Sequence, residues 1–291
     1  MPSQKQSLMG ANVVLLDGAT GTELERRGFA LERPGWSARA IEDAPELLRL
    51  IHRDYVEAGA EIITANTFRL HQRNLASWGR EDDDEKLVKR AVDLAREAAG
   101  KRALIAASIA PIGDCYSPEQ VPSASDLEAE HSVLAGHLAR AGVELILVET
   151  MVSSREGLAA AKAAAKTGSP FVVSFVCGPD ARLLSGTSLA EAIGAVLPLN
   201  PTAVCVNCIS VAHVLAALQV LRDSCGATPF GVYANTGERG SDGVWNVTNA
   251  AEPAVYAVSA QRWKELGARL IGGCCGTTPD HIHALKLSLQ S

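Results

Sequence analysis

The stretch LILVETMVSSREGLAAAKAAAKTGSPFVVSFV, residues 145–176, shows the pattern on which the fold depends. It begins with a continuous apolar run, 145–148, and ends with another, 171–176. The segment between them is rich in alanine and opens with Ser153 and Glu156 at the spacing of a helix capping box. Apolar runs without alternation are typical of parallel strands buried on both faces, so the stretch predicts a strand, a helix and a second, parallel strand.

The same alternation extends along the rest of the chain. Six more runs of this kind are found at 13–16, 61–65, 103–108, 203–206, 230–234 and 269–271. Helical periodicity is found at 45–58, 85–99, 126–141 and 190–197. Eight strands alternating with helices in 291 residues predict an α/β fold, a (β/α)8 TIM barrel, because such barrels take about 250 residues plus insertions. The chain shows no linker, so we expect residues 1–291 to form a single domain.

Helix-start signals support these helices. Capping-box spacing recurs in the pairs Thr20/Glu23, Ser125/Glu128 and Ser188/Glu191, and a hydroxyl, a proline and a carboxylate follow one another in Thr278-Pro279-Asp280. The acidic residues 81–85 are interpreted as a solvated helix start rather than a cation site, since negative charge is favourable at the positive end of a helix dipole.

Composition excludes several classes of protein. Hydrophobic residues make up 47% of the chain and charged residues 21%, which is enough for a full core. The net charge of -6, without a basic stripe, argues against a nucleic-acid partner. Neither a membrane span nor a signal peptide is recognisable, so we expect a cytoplasmic protein. Seven cysteines in such a chain favour thiolate or metal chemistry over a disulfide framework.

Polar residues follow the predicted strands directly. They are Asp17-Gly18, Asn66-Thr67-Phe68, Glu149-Thr150, Asn207-Cys208, Asn235-Thr236 and the turn Gly272-Gly273-Cys274-Cys275-Gly276. Because barrel enzymes place their chemistry at the carboxyl ends of the strands, these positions predict the active site.

The cysteines separate by geometry. Cys205 and Cys208 form a C-x-x-C motif, but residues three apart in a strand lie about 10 Å apart and face opposite ways. We therefore expect Cys208 at the strand end and Cys205 in the core. In the last turn the flanking glycines permit backbone angles that direct Cys274 and Cys275 to one point. Three thiolates with an open fourth position predict a catalytic zinc site.

Other interpretations stay open for these residues. The three cysteines could simply be buried, or Cys274 and Cys275 could form a redox pair; Cys115, Cys177 and Cys225 are interpreted as structural. Residues 18–21 give only a weak phosphate-loop signal, since no G-x-G-x-x-G or P-loop motif is present. His71 follows the second strand and could reach the barrel mouth, whereas the other histidines fall on predicted helices.

With these residues in place, the chain resembles the homocysteine S-methyltransferase family from about residue 15 to residue 285. The resemblance rests on residues 16–19, 22–24 and 55–68, on Glu149-Thr150 and Asn207-Cys208, and above all on residues 272–278. It implies methyl transfer to the thiol of homocysteine, giving methionine, with small-molecule substrates and Zn²⁺ as the cofactor.

The resemblance also implies roles for particular residues. Family members hold zinc with cysteines that correspond to Cys208, Cys274 and Cys275. The pocket for the amino-acid end of homocysteine would be lined by Asp17, Gly18, Asn66, Thr67, Glu149 and Thr150. Glu149 is then the partner of the substrate ammonium.

The methyl donor follows from charge and from the branch that the chain resembles. A negative zinc-thiolate centre favours a cationic donor, which aromatic faces could hold. The aromatic residues at or beyond strand ends are Trp36, Phe68, Tyr116, Phe175, Tyr233 and Trp245. Trp36-Ser37-Ala38 and residues 233–238 resemble the S-methylmethionine branch, although that branch commonly has proline where Ala234 stands, and residues 69–73 also depart from it. Asn235, Glu238 and residues 69–73 could meet the charges of such a donor.

S-methylmethionine is therefore the expected donor and betaine the alternative. Two other classes of function remain in view. One is a non-catalytic zinc-thiolate binding protein, and the other is a phosphate-binding barrel enzyme in which the cysteines would be incidental. The sequence leaves the oligomeric state undetermined.

Overall fold

Parallel strands form a nearly closed barrel in the computed structural model, which describes residues 12–31, 34–240 and 245–290. The barrel strands are β1 Val14–Leu15, β2 Ile62–Ala65, β3 Leu104–Ile109, β4 Leu145–Met151, β5 Phe171–Phe175, β6 Ala203–Ser210, β7 Phe230–Asn235 and β10 Leu270–Gly273. They pair in the order β1-β10-β7-β6-β5-β4-β3-β2, and a bridge between Leu16 and Ile62 joins the two ends. The predicted (β/α)8 barrel is confirmed.

Helices connect these strands around the outside. They are α1 Gly21–Arg26, α2 Ala40–Asp43, α3 Pro45–Ala58, α4 Gln72–Ala76, α5 Asp84–Ala99, α6 Ala124–Arg140, α7 Ser154–Lys166, α8 Leu189–Val196, α9 Val214–Ser224, α10 Pro253–Glu265 and α11 Pro279–Leu289. Short 3₁₀ segments include Trp36–Arg39, Glu81–Asp83 and Pro118–Gln120. No helix in the described ranges has the length and apolarity needed to cross a membrane.

Two barrel strands are longer than the sequence predicts. The fourth and sixth apolar runs stop at 148 and 206, yet β4 continues to Met151 and β6 to Ser210. In both strands the register of pairing with the next strand shifts over the added residues. The regular pairing is interrupted there and resumes at the last residue of the strand. Beyond β7 the structure adds an antiparallel hairpin that the sequence did not predict, β8 Gly237–Arg239 with β9 Trp245–Val247.

The helix starts agree only in part with the capping patterns. Ser153 and Ser188 accept the N–H groups of Glu156 and Glu191, as predicted. The Ser125/Glu128 prediction is wrong, because the residue that caps α6 is Ser123, two positions earlier.

The two remaining helix starts have different outcomes. At α1 no described backbone N–H bonds to the side chain of Thr20, and Glu23 instead binds Arg26 and Arg27, so the predicted capping box is wrong. At α11 the predicted Thr278 cap, with Pro279 and Asp280 in the first turn, is confirmed, and the structure adds a capping box between Thr278 and His281.

Burial on both faces of the strands explains why their sequences are continuously apolar. A small inner cluster fills the barrel and includes Leu16, Leu147, Val172, Cys205 and Leu270. A larger cluster packs the outer faces of the strands against the helices. Cys205 is fully buried in the inner cluster, as predicted.

One close approach between barrel strands generates a stability prediction. Gly231 of β7 pairs with Leu270 of β10, and a methyl group at Gly231 would collide with the Leu270 carbonyl oxygen. We expect Gly231→Ala to lower the free energy of unfolding by about 1–3 kcal/mol, because backbone must move. Gly194→Ala is the matched control: the space around Gly194 in α8 is open, so the change should raise the free energy of unfolding by up to about 1 kcal/mol. Urea unfolding of both variants checks the pair, and equal stabilities would contradict the strand packing described here.

Candidate metal and substrate site at the barrel mouth

Three thiols from two strands meet at the carboxyl end of the barrel. Cys208 lies near the end of β6, and Cys274 and Cys275 follow β10, with β7 between the two strands. Their sulfur atoms all lie within 4.8 Å of one another, and the Cys208 and Cys275 sulfurs are 3.8 Å apart. All seven cysteines of the chain fall in the described ranges, and none of them forms a disulfide there.

A left-handed backbone turns Cys208 toward this point. The φ of Cys208 is 56°, and Thr150, near the end of β4, also has a positive φ, of 62°. Both residues lie where the pairing registers shift. A strand that stayed regular would alternate its side chains, so this local break gives Cys208 a direction that Cys205 does not have.

Asn207 joins the two irregular strand ends. Its Oδ1 accepts hydrogen bonds from the backbone N–H of Thr150, at 2.9 Å, and from the Ser174 hydroxyl, at 2.7 Å. Its Nδ2 donates to the Thr150 hydroxyl at 2.8 Å. Asn207, Thr150 and Ser174 are all buried, so these bonds form away from water and hold β4, β5 and β6 together beside Cys208.

The Cys274-Cys275 turn is held by three hydrogen bonds to two neighbouring segments, β7 and α1. The Cys274 N–H donates to the Ala234 carbonyl, the Cys275 N–H to Asn235 Oδ1 at 3.0 Å, and the Gly276 N–H to Thr22 Oγ1 at 3.0 Å. Gly276 needs its glycine for a φ of 82°. Gly273 needs it for a different reason, because a Cβ there would collide with the side chain of Thr277.

The three thiols fit a tetrahedral metal ion. Sulfurs that each bind Zn²⁺ at about 2.3 Å in a tetrahedron lie about 3.8 Å apart, which matches the Cys208 to Cys275 separation. A hydrogen bond with Cys274, together with burial, raises the pKa of the Cys208 thiol well above its usual value. Three thiolates at this spacing would therefore need a cation between them, and all three cysteines line the cavity.

The cavity in front of the thiols has a volume of about 860 Å³ and an acidic floor. Asp17 accepts the Thr64 N–H at 2.7 Å and the Thr64 hydroxyl at 3.0 Å, while Glu149 accepts the Ser108 hydroxyl at 2.5 Å. Burial raises the pKa of both carboxyl groups to about 7. The floor thus carries two carboxyls that a bound cation would convert to carboxylates.

Aromatic side chains form part of the wall. The Trp36 and Phe68 rings lie 5.9 Å apart between centroids, and the Tyr116 hydroxyl is 3.4 Å from the Cys208 sulfur. Asn66 places Trp36: its Nδ2 donates to the Ser37 carbonyl at 2.7 Å, and its Oδ1 accepts the Ser37 hydroxyl. Of the aromatic residues singled out from the sequence, these three and Tyr233 line the cavity.

The structure brings most of the predicted site residues together. Those that line the cavity are Asp17, Gly18, Asn66, Glu149, Thr150, Cys208, Cys274 and Cys275. Thr67 and Asn235 are not among the described lining residues. Thr67 exchanges hydrogen bonds with the backbone of Ser108, whose hydroxyl binds Glu149, and Asn235 binds the Cys275 N–H. Both therefore contact the site through another residue.

Other sequence candidates lie elsewhere. His71 is buried, with its Nε2 3.1 Å from His131 Nδ1, and is not a described lining residue of the cavity. Phe175 packs in the core and Trp245 lies on the hairpin. The acidic residues 81–85 do begin a helix, but Asp84 is buried there and bonds to His137.

Sequence reasoning missed Thr64 and Ser108, which hold the two floor carboxyls. A signal for them exists, because each is a polar residue near the carboxyl end of a mainly apolar strand run, at 61–65 and 103–108. Thr22 was also missed as a support of the cysteine turn, since only the fold brings α1 next to residue 276.

The fold and the site together define a (β/α)8-barrel enzyme with a three-thiol centre at the carboxyl ends of its strands. Residues 14–289 match the homocysteine S-methyltransferase family, and the chain belongs to that family. The resemblance drawn from the sequence is thereby confirmed.

Individual relatives agree along nearly the whole length. The chain is 34% identical to a homocysteine S-methyltransferase of Escherichia coli, covering 94% of each sequence, and 29% identical to homocysteine S-methyltransferase YbgG of Bacillus subtilis, covering 96% of this chain and 95% of that one. The crystal structure of the homocysteine methyltransferase MmuM from Escherichia coli in its metallated form superposes with a TM-score of 0.82 at 30% identity, covering 95% of this chain and 96% of that one.

The raised pKa values on the cavity floor generate a pH prediction. In the unfolded chain Glu149 ionises near its ordinary pKa of 4.5, whereas in the folded protein it stays protonated up to about 7. Because the unfolded state loses this proton first, stability falls as the pH rises through this window. We expect Glu149→Gln to reduce the loss of unfolding free energy between pH 5 and pH 8 by on the order of 2 kcal/mol.

Urea unfolding at both pH values, with a chelator and a reductant present, checks this. Glu46→Gln is the control, because exposed Glu46 bonds to Arg49, which lowers its pKa instead. An equal pH dependence in the wild type and in Glu149→Gln would contradict the assignment.

Proposed function

We propose that the protein transfers a methyl group from an onium donor, foremost S-methylmethionine, to the thiol of homocysteine, giving methionine. Zn²⁺ would be held by Cys208, Cys274 and Cys275. The observation that carries the proposal is the cluster of three sulfurs within 4.8 Å, facing a cavity with an acidic floor.

The donor set favours zinc over other metals. Three thiolates in a tetrahedral arrangement with one open position are typical of catalytic zinc, whereas magnesium and calcium prefer oxygen ligands. When bound, Zn²⁺ supplies Lewis acidity, which lowers the pKa of a substrate thiol and keeps its sulfur anionic at neutral pH.

The floor of the cavity suits the amino-acid end of homocysteine. We assign the substrate ammonium to Glu149, with Asp17 on the same floor. Gly18, Asn66 and Thr150 line the same space, and Thr67 supports it through Ser108. Because the Glu149 carboxyl has a pKa of about 7, it loses a proton when an ammonium binds, so homocysteine should bind more weakly below that pH.

Charge selects the class of donor. Cys208, Cys274 and Cys275, together with the thiolate of homocysteine, would give a zinc-loaded centre a formal charge of -2, which would attract a sulfonium or a quaternary ammonium. The homocysteine sulfur forms a bond to the methyl carbon while the donor's carbon–sulfur bond breaks, and the leaving sulfur keeps that electron pair and becomes a neutral thioether. The Trp36 and Phe68 faces can stabilise the onium before transfer.

The metal assignment has a direct test. Replacing Cys208, Cys274 or Cys275 with Ala should abolish methyl transfer and release most of the bound zinc, because two thiolates retain the ion poorly. Cys205→Ala is the matched control, since Cys205 lies in the barrel interior on the same strand and should lose stability but not zinc. Metal analysis of the four purified variants decides it, and equal zinc loss in Cys205→Ala and Cys208→Ala would refute the ligand set.

A donor panel tests the reaction. Zinc-loaded protein with homocysteine should form methionine fastest, by kcat/KM, with S-methylmethionine, more slowly with S-adenosylmethionine, and more slowly still with betaine. A higher kcat/KM for betaine, or turnover with a methyl-folate alone, would refute the donor while leaving methyl transfer in place. Zinc binding without methionine from any donor would indicate a binding protein.

A further inference from the structure

The charges that line the cavity are unevenly distributed. Its floor carries Asp17 and Glu149, and its two cationic lining residues, Arg69 and Arg73, both follow β2. Arg73 is neutralised, because its guanidinium lies 2.6 Å from Glu130. Within the part of the chain that the structure describes, no carboxylate lies at ion-pair distance from Arg69. Among the described residues, Arg69 is thus the lining cation that no carboxylate neutralises, although Asp114 also lines the cavity.

Arg69 is held in place rather than extended into solvent. It is partly buried, its Nη1 donates to the Gly113 carbonyl at 2.9 Å, and its guanidinium lies 5.3 Å from the centre of the Phe68 ring. Three residues beyond Gly113, the Tyr116 hydroxyl lies 3.4 Å from the Cys208 sulfur. The same loop therefore positions Arg69 and contacts the thiol centre.

A fixed guanidinium of this kind recognises a carboxylate. It offers five N–H donors in a planar fork, of which one is directed to Gly113, and the others can form paired bonds to the two oxygens of a carboxylate. Partial burial without a counter-ion is unfavourable for a charged group, so a ligand anion would stabilise it.

We propose that Arg69 binds the carboxylate of the methyl donor, so that the enzyme selects onium compounds that carry a carboxylate. The inference rests on the proposed function. The acidic floor would repel a carboxylate and attract the acceptor's ammonium, whereas Arg69 lies over the ring of Phe68, one of the two aromatic residues assigned to the onium. The bound donor would then extend from Arg69, which holds its carboxylate, to the thiol centre, which its methyl group faces.

The test compares two sulfonium donors, of which only one carries a carboxylate. We would measure kcat/KM at saturating homocysteine for S-methylmethionine and for trimethylsulfonium. Arg69→Gln should lower the value for S-methylmethionine by about 10- to 100-fold, mainly through KM, because a charge-assisted bond is lost. The value for trimethylsulfonium should change less than twofold, and Arg69→Lys should recover part of the loss. Arg49→Gln, an exposed arginine on α3 outside the cavity, is the matched control.

Three outcomes would overturn the inference. They are an equal loss with both donors, a rise in the KM of homocysteine alone, and a loss of carboxylate selectivity in Arg73→Gln instead of Arg69→Gln.

A binding measurement separates this inference from the reaction. S-methylmethionine would be titrated into the unmodified protein and into Arg69→Gln, with tryptophan fluorescence as the readout, because Trp36 lines the cavity. Binding that weakens at least tenfold in the variant supports the role of Arg69 even if no methionine forms, in which case only the proposed function fails. Equal binding in the two proteins, or no binding in either, overturns the inference.

Discussion

The buried carboxamide of Asn207 is the interaction on which the mouth of the barrel depends. It binds both the N–H and the hydroxyl of Thr150, so it joins β4 to β6 at the point where each strand departs from regular pairing. A left-handed backbone at a non-glycine residue is unfavourable by about 1–2 kcal/mol, and buried hydrogen bonds are what can offset it. Through this contact the direction of the Cys208 thiol and the position of Glu149 are set together.

Electrostatics complements this frame. The floor holds Asp17 and Glu149 out of water, where burial raises the pKa of both carboxyls to about 7. Such a floor is partly ionised near neutral pH and becomes fully anionic when an ammonium binds. The thiol centre beside it has the same requirement, since its sulfurs need a cation to become thiolates. One cavity therefore offers two places for positive charge, at the floor and at the thiol centre, and one place for negative charge, at Arg69.

Several features of the site were predictable because they depend on local sequence. The glycines around Cys274 and Cys275 indicated a special turn, and the polar residues after each apolar run indicated the mouth of a barrel. The structural reason for one of these glycines was not predictable. Gly273 is required because a side chain there would collide with Thr277, and sequence spacing does not reveal that contact. Thr67 and Asn235 illustrate the same limit, because their positions after strands were evident but their contacts, to Ser108 and Cys275, depend on the neighbouring strands.

By itself the sequence determined the alternation of strands and helices, the assignment of Cys205 to the interior and the candidate residues at the strand ends. It could do so because apolar runs and helix-start patterns are local signals that span only a few residues. Only the tertiary structure decided that Cys208 reaches the other thiols, that Arg73 is paired with Glu130 and that Arg69 is not paired with a carboxylate in the described chain. These facts join residues that are far apart in the chain. They depend on closure of the barrel, which places the ends of non-adjacent strands side by side.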